Sequence, residues 1–196
     1  MSSLKALSAM IDALNERIGR GVAWLTLLMV LMQFFVVIFR YVFSVSFIPL
    51  QESIWYLHGM IFMLGAGYTL LHDEHVRVDV FYRDAKPKTK ALIDILGSVI
   101  YLIPICILIF VYSYGYVSNS WAVFEGSTET NGLHLKFLLK TVIWIFCALM
   151  ALQGISMAIK GFLYRHDQGS HYDELPEDEF LTEEYKAELA EGDHLS

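Results

Sequence analysis

The sequence predicts an all-α integral membrane protein with four transmembrane helices and both termini cytoplasmic. Three observations carry this. First, 56% of the 196 residues are hydrophobic and 18% are charged, with mean hydropathy +0.48. A soluble domain averages about 45–50% apolar and about 25% charged, and one compact core of this size has no room for the excess. Second, four apolar stretches, 21–39, 53–71, 95–124 and 141–159, contain no Asp, Glu, Lys or Arg. Each is close to or beyond the ~20 residues that a helix rising ~1.5 Å per residue needs to cross ~30 Å of hydrocarbon. Third, 11 of the 14 Lys and Arg residues fall in the two terminal segments and the loop between the second and third stretches. Positive charge collects on the cytoplasmic side.

Ahead of the first span, Leu4, Leu7, Ile11, Leu14 and Ile18 recur at three- and four-residue intervals, with Ser8, Asp12, Asn15 and Glu16 on the other face. This is an N-terminal amphipathic helix, expected to lie at the interface of the cytoplasmic leaflet rather than on a soluble partner. The first span covers about 20–42. It is not a cleaved signal peptide, being too long for an h-region and ending in Arg40-Tyr41 instead of a small-residue cleavage site. The second span covers about 52–72. Its Gly59, Gly65, Ala66 and Gly67 permit close helix approach.

The third span covers about 92–121 within a longer helical stretch. Pro87 to Phe124 is 38 residues, ~57 Å as one helix. Such a helix must tilt, kink or project into water, and Pro104 is the expected kink. Two readings stand: a ragged helix with a cytoplasmic extension, or a long tilted strut packed on a partner. The fourth span covers about 138–160. Trp24, Trp55, Trp121 and Trp144 fall near predicted span ends, as in an aromatic belt.

Residues 1–165 thus form the membrane domain, and 166–196 an acidic cytoplasmic tail. The tail holds 11 acidic residues and one Lys, so the net charge of −7 divides into −10 on the tail and +3 on the rest. Pro176, an acidic turn at 177–179, and Leu181, Tyr185 and Leu189 at four-residue spacing allow a short docking helix; a mostly disordered tail is the equal alternative. The charge balance leaves no basic surplus for phosphates, which argues against a nucleic-acid partner. Cys106 and Cys147 lie inside apolar runs and are read as buried small hydrophobes.

Few residues offer chemistry. His58 is the one titratable side chain deep in a span; such groups are functional candidates, though a neutral imidazole also serves as an interhelical hydrogen-bonding group. A haem reading needs an axial pair, and His58 has no second His at its depth. His72, Asp73, Glu74, His75 and Asp79 cluster in sequence, but zinc needs three or four convergent ligands, and neighbouring Arg and Lys explain the carboxylates equally well. Arg40 sits where positive charge is scarce. A pair with Glu52 across the short loop, a lipid phosphate, or snorkelling to water would each accommodate it. No Ser-His-Asp set, phosphate loop or intramembrane carboxylate pair occurs, so no catalytic, substrate-binding or metal residue is assigned and no cofactor is expected.

A series of short motifs adds a family resemblance. Phe39-Arg40-Tyr41-Val42-Phe43 ends the first span and Gln51-Glu52-Ser53 opens the second. Leu64-Gly65-Ala66-Gly67-Tyr68-Thr69-Leu70 closes the second, followed by His75-Val76-Arg77-Val78-Asp79. In order, spacing and topology this resembles the small membrane subunit of tripartite ATP-independent periplasmic (TRAP) transporters, the DctQ family, over about residues 15 to 165. The sequence departs from the family pattern at Gln51, a position often acidic in the family.

The resemblance implies a non-catalytic small permease subunit in the bacterial inner membrane. It would scaffold a large elevator-type membrane subunit that imports a small organic acid, a carboxylate or sulfonate, by sodium symport. A periplasmic binding protein would deliver the substrate and dock on the outer face, where the loop 125–136 lies. Membrane lipids are the remaining partner. Structural or interface candidates are Arg40, Tyr41, Glu52, His58, Gly65, Gly67, His75, Arg77 and Asp79. The alternatives are a haem-binding redox membrane subunit and a self-sufficient oligomeric small transporter.

Overall fold

The computed structural model describes residues 2–75 and 87–166. Helix α1 (Ser2–Tyr41) leads through a short connection to α2 (Ile48–Leu71). Helix α3 (Pro87–Leu96) runs through a π-helical stretch (Gly97–Leu102) into α4 (Ile103–Ala122), and α5 (Lys136–His166) closes the described chain. Four rods are long and apolar enough to cross a membrane: α1, α2, Lys88–Ala122 and Lys136–Arg165. The end of the bundle carrying the connections 42–47 and 123–135 is called upper below, and the opposite end lower.

Helix α5 is the hub. It packs on α1, α2, α3 and α4, while α1 otherwise packs on α2. The most apolar stretch of α5 is 39% buried, against 6%, 17% and 11% in the other three rods in chain order. The apolar core lies where α2, α4 and α5 meet, around Leu70, Cys106, Cys147 and Met150. Both cysteines are free thiols there, packed as small hydrophobes. Most large apolar side chains of α1 and α4, including Phe34, Phe35, Ile107 and Val111, face outward. Water would reject such a surface; lipid or a membrane partner accepts it.

The third span handles its proline by a π turn. Pro104 has no N–H for the carbonyl four residues back, and the Ile103 N–H bonds Ser98 O, five residues back. The helix widens by one residue just before the proline and continues. At the lower end, α3 lies on α5 with Ala91 fully buried. A methyl built at Gly161 would press on Ala91 O at 3.0 Å.

The amphipathic segment differs from the expectation of a separate interfacial helix. Residues 2–19 continue into the first span as one helix. Moreover, the packed face carries the polar residues: Ser8, Asn15 and Gly19 are buried together with Ile11 and Val22, while Leu4, Leu7, Met10 and Leu14 are exposed. The reason is chemical. The polar groups find hydrogen-bonding partners on α5, and the leucines lose nothing by facing an apolar medium.

Trp144 also departs from the belt. It turns inward, its ring 5.6 Å from Tyr114 and stacked on it, and 5.4 Å from Phe110.

Candidate functional site

Two polar constructions hold the bundle, one at each end. The lower one centres on Asp12. Its Oδ1 accepts from Ser156 Oγ at 2.7 Å and Gln153 Nε2 at 3.1 Å. Its Oδ2 meets Lys160 Nζ at 2.7 Å. Gln153 Oε1 in turn accepts from Asn15 Nδ2 at 2.7 Å. Gln153 and Ser156 are fully buried and Asn15 nearly so. Their positions follow from helical spacing: Ser8, Asp12 and Asn15 share one face of α1, and Gln153, Ser156 and Lys160 one face of α5. The motif reading missed this clamp. Its legible signal was polar residues at three- and four-residue intervals inside apolar helices, which in a membrane mark a packing face rather than a wet one.

Asn15 also sets how closely α2 approaches. A methyl built at Gly67 would overlap Asn15 Oδ1, and one built at Gly19 would overlap the Tyr68 ring. Gly65 carries no such demand, since its nearest neighbour, Val22 Cγ1, would stand at 3.7 Å. A second tie joins the same helices: Glu16 bonds Arg20 Nε at 2.7 Å and His72 Nε2 at 2.8 Å.

The upper construction pins the 123–135 connection. Glu52 does not pair with Arg40, contrary to one sequence expectation. Its Oε1 accepts from Ser127 Oγ and its Oε2 from the Leu133 N–H at 2.6 Å. The carboxylate is therefore committed to the later loop instead of the nearer one. Glu125 accepts from Lys140 Nζ and from Ser120 Oγ, and the Lys140 hydrogen bond, seconded by Ser120, holds the Glu125 carboxyl below its usual range. Phe124, with φ 45°, lies in a left-handed conformation that costs a bulky residue roughly 1–2 kcal/mol. Its ring packs on Phe137 at 5.6 Å.

The remaining candidates are placed as follows. Arg40 and Tyr41 are exposed at the end of α1, and Arg40 lines a cleft with Gln51 and Trp55. His58 is exposed on α2, its ring 4.6 Å from Phe62. His75 is exposed just past α2. Arg77 and Asp79 lie outside the described residues, as does the acidic tail from 167 onward. Among the described residues no three His, Cys, Asp or Glu side chains group as a metal site.

Residues 29–163 match the family model described as "Tripartite ATP-independent periplasmic transporters, DctQ component". The chain belongs to the DctQ family. No curated protein and no solved structure matches it. As a DctQ chain with four apolar spanning helices, it is the small permease subunit of a TRAP transporter and a multi-pass inner-membrane protein. The match takes in part of α1 and begins beyond Asp12 and Asn15, which lie earlier on the same helix and bond Lys160 and Gln153 on α5.

Proposed function

We propose that this DctQ subunit is a static, non-catalytic scaffold. It holds the large membrane subunit of a TRAP transporter while that subunit moves a small organic acid, a carboxylate or sulfonate, inward with sodium. On this reading a periplasmic binding protein delivers the substrate to the upper end, and both termini lie in the cytoplasm.

The observation that supports the reading is where the buried polar groups go. Asp12, Asn15, Gln153, Ser156 and Lys160 are spent on one another, helix to helix. They stiffen a frame, and these five side chains are engaged with one another rather than turned toward a substrate. An elevator-type transporter needs such a frame, because the moving domain must be displaced relative to something that stays put. The outward apolar surface of the bundle, including Phe34 and Phe35 on α1 and Trp55 on α2, leaves that frame room to seat a partner.

Reconstitution tests this. Liposomes holding the large subunit, with binding protein outside, should take up substrate down a sodium gradient only when this chain is present. Uptake at the same rate without it would overturn the scaffold reading.

A further inference from the structure

Gln33 and His58 face outward in the upper half of the bundle without a hydrogen bond among the described residues. Gln33 on α1 and His58 on α2 are exposed and line one open cleft of about 430 Å³ with Met29, Val30, Ile54 and Trp55. No hydrogen bond to either side chain occurs among the described residues. Gln33 lies seven residues before Arg40, and His58 seven residues after Gln51. At ~1.5 Å per residue both sit ~10 Å below the upper rim of the bundle, within the hydrocarbon.

Several hydroxyls on the spans are satisfied locally, whereas Tyr56, Ser98 and Trp144 keep a buried polar atom without a hydrogen bond among the described residues. Ser53, Thr69, Ser118 and Thr141 each donate to the carbonyl four residues back, at 2.7–3.1 Å. A hydroxyl close to the backbone can do this. In this structure the Gln33 amide and the His58 imidazole do not, and point away from the bundle. Hydrocarbon chains offer them no partner, so lipid is a poor cover for this face.

The cleft continues upward. Gln33, Ile54 and Trp55 also line a second cleft that reaches Arg40 and Gln51 at the rim. The face therefore combines a 68% exposed Trp at its centre, an Arg at one end and two hydrogen-bonding groups at depth. Trp and Arg are the side chains enriched at interface hot spots.

We propose that this α1–α2 face is the seat of the large TRAP subunit. It would be occupied by a transmembrane helix that presents hydrogen-bonding side chains to Gln33 and His58 and an acceptor, a carboxylate or helix-end carbonyls, to Arg40. The proposal rests on the scaffold reading and specifies which surface does the holding. A phospholipid could satisfy Arg40 through its phosphate, but its tails would leave Gln33 and His58 unpaired ~10 Å deeper.

The test uses this chain co-expressed with the large subunit of its own transporter. A photo-crosslinker replaces one side chain, either Trp55→benzoylphenylalanine or, on the third span, Tyr112→benzoylphenylalanine. Tyr112 is 81% exposed and serves as the control. Irradiated membranes should give an adduct of the two subunits from position 55 and none from position 112. Adducts from position 55 only to phospholipid or to a second copy of this chain, while the unmodified pair still co-purifies, would overturn the assignment and leave the scaffold reading standing. Failure of the unmodified pair to co-purify would overturn both.

A second measurement removes the hydrogen-bonding groups. The double variant Gln33→Leu with His58→Leu should recover about tenfold less large subunit, the loss expected from two interhelical hydrogen bonds. Its own melting temperature should be nearly unchanged, because neither side chain makes a hydrogen bond among the described residues. Unchanged recovery of the large subunit would overturn the proposal.

Discussion

Asp12 on α1 and Lys160 on α5 stand 2.7 Å apart across the bundle, each side chain about one-fifth exposed. Asp12 carries more than this pair, since Ser156 and Gln153 donate to its other oxygen. Removing it strands two donors and a cation at once, whereas removing both charges strands less. Asp12→Ala should therefore destabilise the bundle by about 1.5–3 kcal/mol, and adding Lys160→Met should recover part of the loss. Reversible denaturation of the purified chain in mild detergent, run as a double-mutant cycle, measures the coupling. Additive effects would mean the pair is a surface contact only.

Gly67 and Asn15 are matched in shape, because any side chain at 67 meets the Asn15 amide. Gly67→Ala should destabilise by about 1–3 kcal/mol through overpacking. Asn15→Ala in the same chain should relieve most of that. Gly65→Ala, where the new methyl finds ordinary contact distance, should be close to neutral. Melting temperatures of the variants rank them directly.

Glu52 holds the 123–135 connection by accepting from Ser127 and Leu133. Glu52→Ala removes both acceptor oxygens, so the connection should open. Limited proteolysis between 123 and 135 should speed up several-fold in Glu52→Ala and in Ser127→Ala. Arg40→Gln should leave it unchanged, because Arg40 does not reach Glu52 in this structure. Accelerated cleavage in Arg40→Gln would contradict that geometry.

Glu125 supplies a pH dependence. Its carboxyl lies below the ordinary 4.5 in the folded chain because Lys140 and Ser120 donate to it. A carboxyl depressed by folding contributes stability that is fully present above pH 4.5 and is lost as pH falls through the folded value. The upper connection should therefore loosen only in acid below about that range. Trp121, whose indole donates to Thr141 at 2.8 Å beside this loop, gives a fluorescence readout. Glu125→Gln should flatten the acid response, and an unaltered response would assign the titration to another group.

Much of this protein was legible in its residues. Four apolar stretches separated by charge dictate four rods, because unsatisfied backbone in hydrocarbon leaves helix as the local solution. The place of Pro104 forecast an irregular third span, and a π turn precedes it. The motifs around Arg40, Glu52, Gly67 and His75 pointed to the DctQ family, which the family match bears out.

Which face of each helix turns inward was not legible, and the reason is physical. By its apolar stripe alone, the segment with Leu4, Leu7 and Leu14 reads as a helix lying on the cytoplasmic leaflet. In a membrane both stripes have an apolar neighbour and burial of leucine gains little. Polar contacts and close backbone approach then decide the packing. Hence Ser8, Asp12 and Asn15 face α5, and Glu52 reaches across to Ser127 and Leu133, 75 and 81 residues on. The sequence by itself determined how many helices cross and which family they form. Only the tertiary structure decided which polar groups the bundle consumes internally and which, like Gln33 and His58, it turns outward.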